Sequence, residues 1–428
     1  MERMYQFLWK SGMFGRKLRE CGGGEVEVID PGHLNPDAGP DFFNSKIRID
    51  GVEWAGNVEI HVKASDWNRH GHQNDVAYDN IILHVVAVSD IRIRRRDGSF
   101  IPQVEMTLPE DFFRTYASLS AEIEGVKCGA GLEGISALTK TDWLETLAVE
   151  RLQVKAERVN GILSTTVNDW EQTCFIILAR ALGFGLNGDP FELLARSLPL
   201  KFLHHHSDNP YQIEALLFGQ AAMLDSSLHI FDEYYQHLCR EYYFLARKYG
   251  LRPMRPGLWK YARTRPNNFP HRRIAFLAKA CEGGFSLFSK IIAAGGDEEG
   301  SRGLFKWKLD GYWQDHFSFD VEARSVPATL SGMSLTLLLI NVVAPLLYAY
   351  GARRGDPDFA ERGISLLEKL PAESNSIIRQ WSHYGLEADS AWRSQALLHL
   401  KREYCDARKC LYCRFGNNLL RRAATTLS

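Results

Sequence analysis

Between Asn35 and His84 the chain crowds ionisable side chains into strand-like sequence. Val58, Ile60 and Val62 alternate with Glu59, His61 and Lys63, the period-two signature of a strand with two unlike faces. One face is apolar. The other presents a carboxylate, an imidazole and an ammonium about 6.5–7 Å apart. Asp41 precedes them in Gly39-Pro40-Asp41-Phe42, and Asp66, His70, His72 and Asp75 follow. Histidine and carboxylate at that density can bind Zn²⁺, Fe or Mn²⁺. The same residues can instead cap helices and hydrogen-bond backbone, or His70 or His72 can border the Asp41/Glu59 site as a proton donor to a leaving group. His84 lies in an apolar run and reads as a core histidine.

Two further groups could do chemistry. Leu251 to Arg273 holds Arg252, Arg255, Lys260, Arg263, Arg265, Arg272 and Arg273 with no acid, and Trp259, Tyr261 and Phe269 between them. Cations for phosphates and aromatics for bases suit a nucleic-acid contact; arginines paired with distant acids would give the same composition. Near the end, Cys405, Cys410 and Cys413 form C-x4-C-x2-C, the spacing of three ligands in plant-type ferredoxins. An iron–sulfur cluster or zinc there needs a fourth ligand, which Cys128 or His399 could supply. Three packed thiols are the alternative.

These residues need elements to hold them. Met1 to Cys21 suits a helix bent or broken at Gly12, and Val26 to Ile29 a short strand. Phe43 to Ile49 and Val52 to Lys63 read as a hairpin about Asp50-Gly51. If Ile49 pairs with Val52, counting puts Asp41 opposite Ile60, on the wrong face for Glu59. An extra residue in the second strand, at Ala55-Gly56, would carry Asp41 opposite His61 and onto that face. Alternatively Asp41 lies before the ladder and reaches in from a loop. Asp66 to Asn80 reads as a loop with a short helix, Ile81 to Val88 as a doubly buried strand, and Ile91–Arg96 with Ile101–Met106 as a second hairpin. Beyond residue 110 the periodicity turns helical and stays so, which gives an α+β chain: an α/β sheet domain over 1–110 and a helical domain over 111–428.

A carboxylate ahead of a hairpin, then Glu-x-Lys or a variant on the next strand, is the arrangement of PD-(D/E)XK nucleases. Pro40-Asp41 and Glu59-x-His61 resemble it over the first ~110 residues, with His61 where lysine is usual. The resemblance implies Asp41 and Glu59 on Mg²⁺ or Mn²⁺ and His61 on the attacking water, with Lys63 able to contact phosphate. The wording Asn-Pro-Asp-Ala-Gly-Pro-Asp-Phe, Gly-Asn-Val-Glu-Ile-His and Ser-Asp-Trp also resembles a bacterial family of unknown function. That likeness extends over most of the chain, including the cysteines near Cys405. The expected function is metal-dependent phosphodiester hydrolysis on DNA or RNA. The alternatives are a non-catalytic nucleic-acid- or protein-binding module, and a different metallohydrolase centred on His70, His72 and Asp75.

Composition narrows the rest. With 428 residues and a net charge of −1, any polyanion site must be a local patch. No signal-peptide pattern opens the chain, and eight scattered cysteines do not suggest a disulfide scaffold, so the expected location is cytoplasmic. Met333 to Tyr350 barely reaches spanning length and carries Asn341 and Pro345, so a buried core helix is expected and no membrane partner. No Walker or Rossmann glycine pattern and no zinc-protease helix motif occurs.

Overall fold

Asp50-Gly51 sets the register of the N-terminal sheet. Both residues have positive φ, 48° and 85°, the two-residue turn whose twist suits flanking strands. In a computed structural model, which describes all residues except 15–16, 36, 108–109, 122–124, 226–229, 231, 263, 265–267, 323–325 and 426–428, the N-terminal elements are α1 (Glu2–Ser11), β1 (Lys17–Arg19), β2 (Glu25–Asp30), β3 (His33–Leu34), β4 (Phe42–Ile49), β5 (Val52–Lys63), α2 (Asp66–His70), β6 (Ile81–Val88), β7 (Gln103–Glu105) and α3 (Glu110–Ser120). Gly12 ends α1 in the left-handed region at φ 61°, so Leu18 belongs to a strand and not to a continued helix.

Antiparallel pairing runs from Ile49↔Val52 to Ser45↔Gly56 and then steps to Phe42↔Val58. The extra residue is therefore in β4, where Asn44 takes φ 57°, and not at Ala55-Gly56 on β5. Asparagine tolerates that conformation better than most side chains. Asp41 lies one residue ahead of β4, level with Glu59. β6 runs parallel to β5 with Glu59 beside His84, and β7 runs parallel to β6. The expected hairpin over residues 91–106 shrinks to one bridge, Arg94↔Phe100, because Gln103 to Glu105 pair with β6 instead.

The strand order is β1-β2-β4-β5-β6-β7, with β3 also on β4. A bridge between Glu20 and Val104, with the Cys21 N–H donating to the Gln103 carbonyl at 2.8 Å, brings the two ends of that order together. The sheet is nearly closed. One of its faces packs Met4, Leu8, Val58, Ile60, Val85 and Phe112 into the main core. The other carries a smaller core of Trp67, Tyr78, Ile81, Val86, Ile93 and Ile101. β5 is thus covered on both sides.

The chain divides into two compact units, Met1–Lys140 with Lys401–Ser428, and Thr141–Leu400. This differs from a cut at residue 110. Leu411 and Leu420 complete the core of the first unit, and the C-terminal helix Arg414–Thr425 packs on α3. The second unit is mostly helical, including Trp170–Leu182, Pro210–Gln220, Glu233–Tyr249 and Pro270–Cys281, with a small β-ladder at His316–Ser318 and Val321–Glu322. Its apolar helix Gly332–Arg354 has 67% of its most apolar window buried, as expected of a core helix. A π turn at Leu339–Val343 precedes Pro345, which lacks the N–H that a continuing α-helix would use.

Candidate metal centre

Glu59 and His61 point to the face of β5 covered by α2 and the turns after it. Both are buried, with 5% and 1% of their surface exposed, as are His84 and Gln103. Burying that much polarity requires partners. The Gln103 amide nitrogen donates to the Ile91 carbonyl at 3.0 Å and to Ser89 Oγ at 2.6 Å, which turns Gln103 Oε1 towards His84 Nδ1 at 3.2 Å. Oε1 only accepts, so His84 carries its proton on Nδ1 and offers a lone pair at Nε2. His61 Nδ1 lies 2.9 Å from that lone pair and must donate to it. The Nε2 of His61 is therefore the bare nitrogen. Burial first, then the neighbouring histidines, lower His61 to about 2; burial lowers His84 to about 4 against the Gln103 hydrogen bond. Both rings are neutral at ordinary pH.

Three groups converge on that nitrogen. His70 Nδ1 is 3.2 Å away, and Glu59 Oε1 lies 3.6 Å from it and 3.4 Å from His72 Nε2. The His72 Nε2 atom is buried, yet its geometry gives it no hydrogen bond despite Glu59 nearby. A donor atom from each of His61, His70 and His72 lies within 4.8 Å of the other two. Atoms about 2.1 Å from one ion stand about 3.0 Å apart when cis in an octahedron and about 3.4 Å apart in a tetrahedron. The 3.2–3.6 Å spacings fit one cation.

Local chain geometry explains the meeting. Gly71, at φ 79°, reverses the chain at the end of α2, so His70 and His72 can both turn to β5. Tyr78 stacks on the His72 ring at 3.8 Å and Trp67 meets it edge-on. The site opens at His70, which is exposed.

Asp41 and Glu59 hold each other's ends. The Asp41 N–H donates to Glu59 Oε2 and the Ile60 N–H to Asp41 Oδ2, each at 3.0 Å. Desolvation pushes both carboxyls up to about 8, helped at Asp41 by the charge of Glu59. Two residues on α1, legible only once folded, join them. Gln6 Nε2 donates to Asp41 Oδ1 at 2.8 Å, and the Glu2 charge acts on Asp41, Glu59 and His72. Their i, i+4 spacing places them on one face of the helix, but nothing in the sequence aims that face at β5.

Other expected residues lie elsewhere. Lys63 is exposed, and its N–H donates to Asp66 Oδ2 at 3.1 Å, while Asp66 Oδ1 pairs with Arg69 at 2.9 Å. Asp75 caps the turn Val76–Tyr78 by accepting from the Ala77 N–H, so it is no part of the histidine set. His84 is buried, as a core histidine would be, but its partner is His61. In the second unit Arg272 is sealed inside, donating to the carbonyls of Trp313, His316 and Pro327, and Arg273 is buried over the Phe184 ring. Trp259 is buried too, its indole N–H on the Ala221 carbonyl. A phosphate cannot reach either arginine, which corrects that part of the basic stretch. Arg252, Arg255 and Lys260 are exposed, while Arg263 and Arg265 lie outside the described residues.

A family model described as protein of unknown function, DUF2851, matches residues 2–376. The chain belongs to that family. The match takes in every residue of the centre and ends before Cys405, so the likeness is shorter than the expected one that ran on to the cysteines. No curated protein and no solved structure matches the chain.

Proposed function

We propose that this DUF2851 protein is a metal-dependent phosphodiester hydrolase whose cation is held by His61 Nε2, His70 Nδ1, His72 Nε2 and Glu59 Oε1. The observation that carries the reading is the convergence of the three histidine donor atoms, with Glu59 Oε1 within 3.6 Å of two of them and the His61 lone pair fixed inward by His84 and Gln103. Three imidazoles and a carboxylate favour Mn²⁺, Fe²⁺ or Zn²⁺, so the Mg²⁺ suggested by a two-carboxylate site is disfavoured. This merges the nuclease-like carboxylates with the histidine cluster into one centre.

The choice of a phosphodiester rests on the surroundings. A groove in the same unit is lined by Arg3, Gln6, Lys10, Asn417 and Arg421, and Gln6 also holds Asp41. Three cations there suit a phosphate chain far better than a neutral substrate. Asp41 ahead of β4, Glu59-x-His61 on β5 and the parallel β6 follow the order of a PD-(D/E)XK core, while the nearly closed sheet departs from an open one. When bound, the cation would lower the pKa of a water and draw charge off a phosphoryl oxygen. The chain's own part is to keep His61 unprotonated at Nε2 and to hold Glu59 by the Asp41 N–H, with the buried Asp41 carboxyl beside it.

The test is cleavage of single- and double-stranded DNA and RNA, and of bis(p-nitrophenyl) phosphate, by the full chain with Mn²⁺, Zn²⁺ or Fe²⁺. Activity should appear with at least one ion and vanish in Glu59→Gln and His61→Ala. Activity unchanged in both variants, or none with any ion, would remove the reading.

A further inference from the structure

A second group of potential ligands lies in the same unit, away from the histidines in sequence and served by other elements. Cys128, Cys405, Cys410 and Cys413 line one cavity together with Leu119, Lys127 and Tyr404. None is in a disulfide. Cys128 sits at the start of the short turn Gly129–Gly134, while the other three come from the segment that returns to the sheet domain after the helical unit. Close backbone packing fixes that return. A Cβ at Gly131 would lie 2.5 Å from Leu419 Cδ2, and one at Gly416 would strike the Cys410 carbonyl. Only the fold brings Cys128 to a motif that starts 277 residues later (405 − 128).

We infer that these four cysteines hold an iron–sulfur cluster. The C-x4-C-x2-C spacing supplies three thiolates, the cavity brings the fourth, and four thiolates complete the ligand set of a [2Fe–2S] or [4Fe–4S] centre. Spacing decides against one tetrahedral zinc ion. Four sulfurs about 2.3 Å from zinc stand about 3.8 Å apart. Among the described residues, the group of three donors that approaches within 4.8 Å is the histidine trio, not the cysteines. The thiols line a small cavity, with about 20 Å³ of room for water, and sulfurs spread more widely than one ion would hold them suit ligands shared among several iron atoms. Lys127 on the cavity wall supplies positive charge against four thiolates.

Without a metal the thiols stay protonated. Burial, then the neighbouring cysteines, pushes the Cys128 thiol up to about 12, and Cys405 and Cys410 rise for the same reasons. Cys410 Sγ donates weakly to the Leu119 carbonyl at 3.5 Å. Each thiol must lose its proton on ligation, which iron readily enforces. His399, the other candidate fourth ligand, is buried next to Glu150 at 3.3 Å in the helical unit. The cluster would pin the returning segment to the Cys128 turn.

The full chain, purified without oxygen from iron-replete cells, should contain iron and inorganic sulfide in equal amounts and show visible sulfur-to-iron charge-transfer absorption. Two or four irons per chain would tell the cluster types apart. Cys128→Ser and Cys413→Ser should each lose most of the iron, whereas Cys239→Ser, in the helical unit, should lose none. His61→Ala should also keep the cluster, so failure of the hydrolase reading leaves this one standing. Should a variant not fold, iron and sulfide content of the natural chain, before and after treatment with ferrous iron and sulfide, remains decisive. Zinc in place of iron, no cluster after that treatment, or an undiminished cluster in Cys128→Ser overturns the inference.

Discussion

Replacing His84 by leucine should weaken metal binding although His84 touches no proposed ligand position. The buried His61 Nδ1–H donates to His84 Nε2 at 2.9 Å, and leucine removes the acceptor. The proton can then stay on Nδ1, orphaned at about 1–3 kcal/mol, or move to Nε2, where it blocks the nitrogen that faces the ion. Loss of an outer-shell partner of a ligating histidine typically costs 10–100-fold in affinity, or about 1.4–2.8 kcal/mol. Titration calorimetry with Mn²⁺ and Zn²⁺ should show that loss for His84→Leu. Gln103→Leu, one link further out, should show a smaller one. His84→Gln, which can return an oxygen near the Nε2 position, should recover part of it. Metal affinity in His84→Leu within twofold of the natural chain, in protein that remains folded, would refute the fixed-tautomer account.

Further outcomes follow from the same geometry. Burial holds the Asp41 and Glu59 carboxyls above the ordinary carboxylate range in the folded chain, so as pH rises through neutral the unfolded chain holds fewer protons and stability falls. The depressed His61 and His84 act oppositely, adding stability as pH rises to about 6.5, so the carboxylate effect should stand out between pH 6.5 and 8. Thermal unfolding in chelator should show that decline, Asp41→Asn should flatten it, and a pH-independent difference between the two proteins would contradict it. Gly56→Ala should destabilise by about 1–3 kcal/mol in denaturant unfolding, since its Cβ would meet Ile82 Cγ2 at 2.5 Å and the Asn80 carbonyl at 2.8 Å. Removing Arg3 and Lys10 together should flatten the salt dependence of nucleic-acid binding by about 1.4–1.8 in log–log slope, if each neutralises one phosphate. An unchanged slope would take the groove out of the substrate path.

What could be read in advance was local. Asp50-Gly51 announces its turn and Ile81–Val88 its burial. The residues of the centre were recognisable by type, because so many ligating groups rarely share one short strand and the loop after it. Their arrangement was not. The extra residue at Asn44, and not at the glycine of β5, decides that Asp41 meets Glu59, and asparagine in a strand gives little warning of positive φ. Gln6 and Glu2 reach the site through packing of α1 that no local pattern encodes. The basic stretch misled for a related reason. Arg272 satisfies three carbonyls supplied by residues 41 to 55 positions away, so composition alone could not show that its charge is turned inward. The return of the C-terminal helix to the first core is likewise a long-range event.

The most direct test of the centre is anomalous diffraction from crystals of the full chain grown with Mn²⁺ or Zn²⁺. One ion should appear about 2.1 Å from His61 Nε2, His70 Nδ1 and His72 Nε2, with Glu59 Oε1 completing its ligands. An ion held elsewhere, or His61 Nε2 still turned to His70 at millimolar metal, would contradict the account.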